Sequence, residues 1–131
     1  MTTISWSDEL KRGLGFQDED HEQAVKVMNA LHGCSDAELP ALFEQLFTHT
    51  AEHLARENEL MERIGFFAYG MHKGEHDRVL AELQEFKDKL DAKDLDAVRH
   101  YVEVTVPNWF IDHLNSMDTI TAQFALQAGE K

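Results

Sequence analysis

The chain has 131 residues and a formal net charge of −13, with 25 acidic against 12 basic side chains. A charge of this sign repels nucleic-acid phosphates and anionic lipid, so neither is an expected partner. The length predicts a single domain, residues 1–131, and no apolar run is long enough for a membrane span. A lone cysteine, Cys34, and the lack of a signal-peptide pattern predict a cytoplasmic protein.

Helical periodicity runs through most of the chain and predicts an all-α fold. Residues 1–17 lack this period and are expected to form an N-terminal arm that packs across the helices. A first helix is expected at about 18–32, starting with the acidic run Asp18-Glu19-Asp20, which complements a helix dipole. A second is expected at about 36–64, after the capping-box pair Ser35 and Glu38 and before the breaker Gly65.

The second half of the chain predicts two more helices, at about 70–90 and 94–124. Pro107 is expected to kink the fourth helix or to leave a carbonyl without a partner. Short connections favour antiparallel neighbours, so the predicted architecture is an antiparallel, up-down-up-down four-helix bundle with an N-terminal arm.

Five histidines and one carboxylate fall on the apolar stripes of these helices, and a second carboxylate lies close to the last of them: His21, His53, Glu57, His72, His76 and His113, with Asp118. The pairs His53/Glu57 and His72/His76 are four residues apart, which places both side chains of each pair on one helix face. A buried imidazole needs partners for both ring nitrogens, and a metal would supply them together. Facing helices can build a two-metal site from such pairs. We therefore predict a dinuclear metal centre; the ligands suit iron, but zinc and manganese stay open.

Two of the candidate positions need separate argument. Asp118 follows His113 by five residues, about 140° round an ideal helix. Its carboxylate is expected to reach the site only if the side chain bends inward or if the helix is locally widened, as a π-type bulge would do. His49 lies one turn before His53 on the same face. It is expected either to support the site from its edge or to act as a pocket or proton-relay residue. His32 and His100, near helix ends, are expected to face solvent.

Four segments in order, together covering nearly the whole chain, resemble the bacterial single-domain members of the hemerythrin family. They are Trp6…Gly15-Phe16 with Asp18-x-x-His21, His53-Leu54-x-x-Glu57-x-x-Leu60-Met61, Tyr69…His72-x-x-x-His76, and Trp109-Phe110-x-x-His113-Leu114-x-x-x-Asp118. The resemblance implies a non-haem centre of two iron ions with an oxo or hydroxo bridge. Glu57 and Asp118 would bridge the two ions. His21 and His53 would bind the open iron, and the other iron would be bound by His72, His76 and His113.

The resemblance also implies a function. In the family, the di-ferrous form binds O2 reversibly at the open iron as hydroperoxide, without enzymatic turnover. Trp109, Phe110 and Leu114 would line the O2 pocket, with His49 beside them. Oxygen storage, transport or scavenging by a monomer is therefore expected, and a separate protein partner stays open.

The chain departs from the family pattern at positions near the expected O2 site. Asp20 stands where glutamine is usual, Asn58 replaces a second glutamate, Phe110 stands where leucine is common, and His49 stands where tyrosine is usual. Phe110 would narrow the pocket, and His49 could deliver protons. These departures keep two alternatives open: a di-iron enzyme acting on peroxide or nitric oxide, and a sensor of oxygen, redox state or iron.

Overall fold

The computed structural model describes residues 3–131, which contain four long helices and no strand. These are α1, Gly15–Leu31; α2, Leu39–Arg63; α3, Tyr69–Asp91; and α4, residues 95–127. Short connections at 32–38, 64–68 and 92–94 join them. Each helix contacts the next, and α1 also contacts α4, which closes the ring. The predicted all-α, antiparallel four-helix bundle is confirmed. Within the described residues, no helix has the length and apolar character needed to cross a membrane.

The first helix begins at Gly15, three residues before the predicted start at residue 18. The Asp18 carboxylate accepts the backbone N–H of Arg12 at 2.7 Å and that of Gly13 at 3.0 Å. Asp18 therefore lies inside the helix, and its side chain holds the preceding residues in place instead of starting the helix. The arm consequently ends at Leu14, and residues 1 and 2 of the predicted arm lie outside the described part of the chain.

The arm runs along the bundle as predicted. The backbone N–H and carbonyl of Ile4 pair with the Asn29 side chain on α1, at 3.0 and 2.8 Å. Ile4 and Trp6 pack against the main core, while Leu14 is buried among residues of α2 and α4. Arg12, between these anchors, donates to Thr119 Oγ1 at 2.7 Å. The arm is thus fastened to both ends of the bundle.

The capping-box pattern ahead of α2 forms as expected. The Ser35 hydroxyl accepts the backbone N–H of Glu38 at 3.1 Å, and the Glu38 carboxylate accepts that of Ser35 at 3.0 Å. The regular helix starts one residue later, at Leu39, and ends at Arg63. Gly65, at φ +68°, then takes the left-handed conformation that lets the chain turn towards α3.

The fourth helix is continuous but changes its winding twice. Its α-helical segments, Leu95–His100, Val106–His113 and Thr119–Gln127, alternate with two π-helical turns, Tyr101–Thr105 and Leu114–Asp118. The second π turn lies between His113 and Asp118, so of the two arrangements left open by the spacing, the structure has the locally widened helix. The first lies directly before Pro107, where Val106 bonds back five residues to the carbonyl of Tyr101. Since proline has no N–H to donate, this shift of hydrogen-bond register accommodates it within the helix.

The buried apolar residues form two clusters rather than one. The larger occupies one end of the bundle and includes Phe43, Leu83 and Tyr101. The smaller, at the other end, contains Leu14, Leu60, Ala122 and Ala125. Along every helix, the predicted metal ligands lie between these two clusters or at their edge. A polar layer therefore interrupts the core, and it needs a partner that apolar side chains cannot supply.

Candidate metal centre

All seven predicted ligands are brought together in the polar layer. Each side chain is buried: His53 is the most exposed at 8%, and Glu57 and His76 are at 0%. The ligand atoms form two groups: Glu57, His72, His76, His113 and Asp118 in one, and His21, His53 and Glu57 in the other. Within each group, all the atoms lie within 4.8 Å of one another. Glu57 belongs to both groups, so it lies between two possible metal positions.

The three-histidine side of the site is the tighter one. His113 Nε2 lies 3.1 Å from His72 Nε2 and 3.3 Å from His76 Nε2. Asp118 Oδ1 lies 3.2 Å from His72 Nε2 and 3.1 Å from His113 Nε2. Nitrogens and carboxylate oxygen therefore converge on one point, which is the arrangement that a single metal ion requires.

Each carboxylate faces both histidine groups with different oxygens. Asp118 directs Oδ1 to the three-histidine side, while its Oδ2 lies 3.1 Å from His21 Nε2. Glu57 directs Oε1 to His76 Nε2 at 3.3 Å and Oε2 to His53 Nε2 at 3.4 Å. The π turn gives Asp118 this position, because the extra residue in the turn carries its side chain round to the face of His113. Two carboxylates with one oxygen on each side are suited to bridging a pair of cations.

Three of the five imidazoles have their outer nitrogen, Nδ1, fixed by an oxygen on a neighbouring helix. The contacts, each 2.8 Å, join His53 to Asp20 Oδ2, His72 to Thr121 Oγ1 and His76 to Asn58 Oδ1. Carboxylate and amide oxygens can only accept, and the Thr121 hydroxyl donates to Met61 Sδ, so each Nδ1 carries the hydrogen. The Nε2 lone pairs are then directed into the site, as metal-ligating histidines require.

The polar atoms at the centre are not satisfied by the protein alone. Among residues 3–131, Glu57 Oε1 and Asp118 Oδ1 are buried acceptors without a hydrogen-bond donor. Among the nitrogens that they face, those of His72 and His76 belong to rings whose hydrogen lies on the outer side. A buried charged oxygen left in this way costs several kcal/mol, at roughly the scale of an unpaired ionic group. Bound cations fit the site because they accept electron pairs from both kinds of atom.

Electrostatics keep the carboxylates ionised. Burial and the charge of Asp118 oppose ionisation of Glu57, but the surrounding histidines outweigh them and lower its pKa. Burial likewise opposes ionisation of Asp118, whose pKa its histidine contacts hold well below the usual range. Burial would lower the pKa of His53, but the charge of Glu57 and the hydrogen bond to Asp20 raise it to about 10. Without metal, His53 Nε2 therefore also carries a proton, which a metal would displace on binding. Burial lowers the pKa of His76, so that imidazole stays neutral and free to ligate.

Two buried polar residues around the site were not anticipated from the sequence. Gln17 is fully buried, and its Nε2 donates to Glu57 Oε2 at 2.7 Å. It lies four residues before His21 on α1, a spacing that would have indicated it had the helix been predicted to start earlier. Thr121, which holds His72, lies three residues after Asp118 on the same helix face. Both were detectable as polar members of a ligand-bearing stripe.

A small cavity opens onto the two-histidine side of the site. Its volume is about 40 Å³, and its wall includes the ligands His21, His53, His113 and Asp118. The other lining residues are Ala24, His49, Thr50, Leu54, Trp109 and Phe110. Three of the predicted pocket residues, His49, Trp109 and Phe110, thus lie in this wall. Leu114 is fully buried but does not line this cavity, because it follows His113 and points about 100° further round the helix.

Of the remaining histidines, His49 lies at the edge of the site and the other two lie away from the ligands. His100 is exposed, as predicted. His32 is half-buried rather than solvent-facing, because it lines a small hollow together with Ile4 of the arm. His49 is half-buried and contacts the carbonyl oxygen of Asp20 through Nε2, at 2.9 Å. Since a carbonyl can only accept, this nitrogen is the donor.

Comparison with known proteins agrees with this geometry. Residues 12–125 match the Hemerythrin HHE cation binding domain. The chain is 31% identical over 129 residues to the bacteriohemerythrin of Ralstonia nicotianae, covering 98% of this chain and 93% of that protein. It is 34% identical over 119 residues to the bacteriohemerythrin of Aquifex aeolicus, covering 86% and 90%. A crystal structure of wild-type hemerythrin has the same fold, with a TM-score of 0.83 at 19% identity over 95% of this chain and 98% of that one.

A four-helix bundle with a buried cluster of histidines and carboxylates defines a metal-binding protein of the all-α class. The chain belongs to the hemerythrin family, which confirms the resemblance found in its sequence.

Proposed function

We propose that this protein holds two iron ions and binds O2 reversibly, as a carrier, store or scavenger rather than as an enzyme. The observation that carries the proposal is the pair of carboxylates, Glu57 and Asp118, each with one oxygen towards each histidine group. Bound ferrous iron would supply the electrons that hold O2. Five imidazoles would anchor the ions, three on one side and two on the other, which leaves the two-histidine side with fewer protein ligands.

The cavity on that side supports a very small ligand. A water molecule needs roughly 10–15 Å³ of such space, so a volume of about 40 Å³ suits a diatomic gas and excludes most organic substrates. Leu54 and Phe110 give it an apolar wall that limits water at the site. Trp109 stacks on His113, with ring centres 4.5 Å apart, and its Nε1 donates to Glu75 at 2.9 Å. Trp109 is therefore fixed in the cavity wall by both its stacking contact and its hydrogen bond.

The test is a cycle of reduction, air and vacuum. The protein is purified without oxygen, loaded with iron, reduced and exposed to air while its visible spectrum is recorded. We expect a charge-transfer band that appears with O2 and disappears under vacuum through several cycles. Immediate conversion to the oxidised spectrum, with no band that vacuum removes, would contradict reversible binding.

One observation favours a second candidate, an enzyme acting on peroxide or nitric oxide. His49 is the titratable side chain of the cavity wall that is not among the predicted ligands. A histidine in that place could pass protons to a bound small molecule. Rapid consumption of peroxide or nitric oxide by the iron-loaded protein, over many turnovers per centre, would favour this candidate over the carrier.

A further inference from the structure

Among the fixed outer nitrogens of the ligand histidines, one faces a charged group. His72 and His76 donate to a hydroxyl and an amide, both neutral. His53 instead donates Nδ1–H to the carboxylate of Asp20, at 2.8 Å. The opposite nitrogen of His53 faces Glu57 and lines the cavity proposed for O2. The contact between Asp20 and His53 therefore lies on the outer side of the His53 ring, opposite the nitrogen that faces the cavity where O2 would bind.

Asp20 is itself held in place by two further contacts. The Arg56 guanidinium donates to Asp20 Oδ2 from Nε at 3.0 Å and from Nη2 at 2.7 Å, and His53 donates to that same oxygen. His49 donates to the backbone carbonyl of Asp20 at 2.9 Å. The Asp20 side chain is 14% exposed, whereas that of Arg56 is 46% exposed. The carboxylate is thus fixed in position, and the positive charge of Arg56 partly neutralises its negative charge.

We propose that Asp20 is a positioning residue that fixes His53 and strengthens it as a donor to the metal, with Arg56 moderating the effect. This inference rests on the proposed function, because it needs a redox-active metal at the site. A carboxylate behind a ligand imidazole orients the ring and raises its basicity. A more basic imidazole stabilises the more highly charged, oxidised metal. Asp20 therefore lowers the reduction potential of the centre, and Arg56 raises it again.

Four variants separate this effect from general charge. Asp20→Asn removes the charge but keeps an acceptor for His53. Arg56→Gln keeps the carboxylate and removes its moderating partner. The third variant combines both changes. Glu19→Gln, the matched control, removes the same charge from the exposed neighbouring residue. The reduction potential of each iron-loaded protein is measured by spectroelectrochemical titration, and its affinity for Co²⁺ by competition with a chelator.

The expected results are opposite shifts and a non-additive double variant. Asp20→Asn raises the potential and weakens Co²⁺ binding roughly 10- to 100-fold, while Arg56→Gln lowers the potential. The double variant stays at the value of Asp20→Asn, because Arg56 acts only through the carboxylate. Glu19→Gln leaves both quantities near those of the unchanged protein, since an exposed charge is screened.

Three results would overturn the inference. They are equal potentials in Asp20→Asn and Glu19→Gln, a double variant that returns to the unchanged value, and an Arg56→Gln potential that does not move. The Arg56→Gln result remains decisive even if Asp20→Asn folds poorly. Arg56 is half-exposed, so its substitution should leave the fold intact. A failure of the proposed function would look different. If the protein without substitutions takes up iron but never binds O2, reversible O2 binding is refuted, and the reduction potentials of the variants can still be compared.

Discussion

Each imidazole of the centre has two nitrogens, and the structure gives them different tasks. Nε2 faces the site, while Nδ1 of His53, His72 and His76 donates to an oxygen on a neighbouring helix. Those outer contacts fix the tautomer and the ring orientation before any metal is bound. At the residue scale, the affinity of the site therefore depends on side chains that are not ligands.

His49 provides the prediction at this scale. Its Nε2 donates to the Asp20 carbonyl, so we infer that His49 holds the backbone of Asp20 in place and does not deliver protons. Glutamine can make the same hydrogen bond but cannot carry a proton at neutral pH. We expect His49→Gln to leave unchanged the rate at which air oxidises the reduced protein, and His49→Leu to alter it. The rate is followed from the visible spectrum after a single exposure to air.

The same measurement can refute the support role. If His49 delivers protons to the bound ligand, both substitutions slow that chemistry by a similar factor. Slower oxidation in His49→Gln would therefore favour the enzymatic alternative over the carrier.

At the scale of elements, α4 and the arm act together on Asp118. The π turn Leu114–Asp118 is closed by Thr119, whose backbone N–H and hydroxyl both donate to the Leu114 carbonyl. Arg12 donates from the arm to Thr119 Oγ1 and to Asn115 Oδ1, both at 2.7 Å. The arm thus stabilises the irregular turn that places the Asp118 carboxylate between the two histidine groups, although arm and turn are about 100 residues apart in the sequence.

Breaking this contact should affect both stability and metal binding. Arg12→Met keeps the aliphatic stem and removes the hydrogen bonds to Thr119 and Asn115, each worth about 1 kcal/mol net. It also removes two exposed hydrogen bonds to backbone carbonyls of the arm, those of Glu9 and Lys11. We expect the free energy of unfolding to fall by about 1–2 kcal/mol and metal affinity to fall with it. Chemical denaturation and a Co²⁺ competition titration measure the two effects.

Arg99→Met is the matched control for that change. Arg99 is also half-buried and donates to Asp36, at the connection between α1 and α2, away from the predicted ligands. It should lower stability without weakening Co²⁺ binding. Equal Co²⁺ affinities in the two variants would show that the arm has no part in forming the site.

Much of this arrangement follows from the sequence alone, and the exceptions have a common cause. The i, i+4 pairs His53/Glu57 and His72/His76 are local, so helical geometry predicts that each pair shares a face. The five-residue spacing of His113 and Asp118 also indicates that a regular helix does not place both on one face, but it leaves open whether the side chain bends inward or the helix widens. The contact of Gln17 with Glu57, by contrast, joins residues 40 apart in the chain. Such contacts depend on how two helices pack, which spacing within one helix does not specify.

At the scale of the whole molecule, the polar layer divides the core into two apolar clusters. Without metal, the layer contains buried carboxylate oxygens that no donor in the described residues satisfies, which opposes folding at this level of the bundle. A bound metal centre would link all four helices, because the predicted ligands come from α1, α2, α3 and α4. We therefore expect metal binding and stability to be coupled.

Metal removal measures that coupling. A ligand that binds only the folded state, at a free concentration a thousand-fold above its Kd, stabilises by about 4 kcal/mol. We expect chelation to lower the free energy of unfolding by about this amount, which moves the urea midpoint to a lower concentration. Adding Fe²⁺ should restore the midpoint. Mg²⁺ should not, because it prefers oxygen ligands and keeps its waters. An unchanged midpoint after complete metal removal would contradict the coupling.

The most direct test of the central claim is anomalous X-ray diffraction at the iron edge from crystals of the iron-loaded protein. We expect two peaks per chain, both within the buried layer, with Glu57 and Asp118 between them. His72, His76 and His113 should surround one peak, and His21 and His53 the other. A single peak, or peaks outside this layer, would contradict a two-iron centre held by these seven residues.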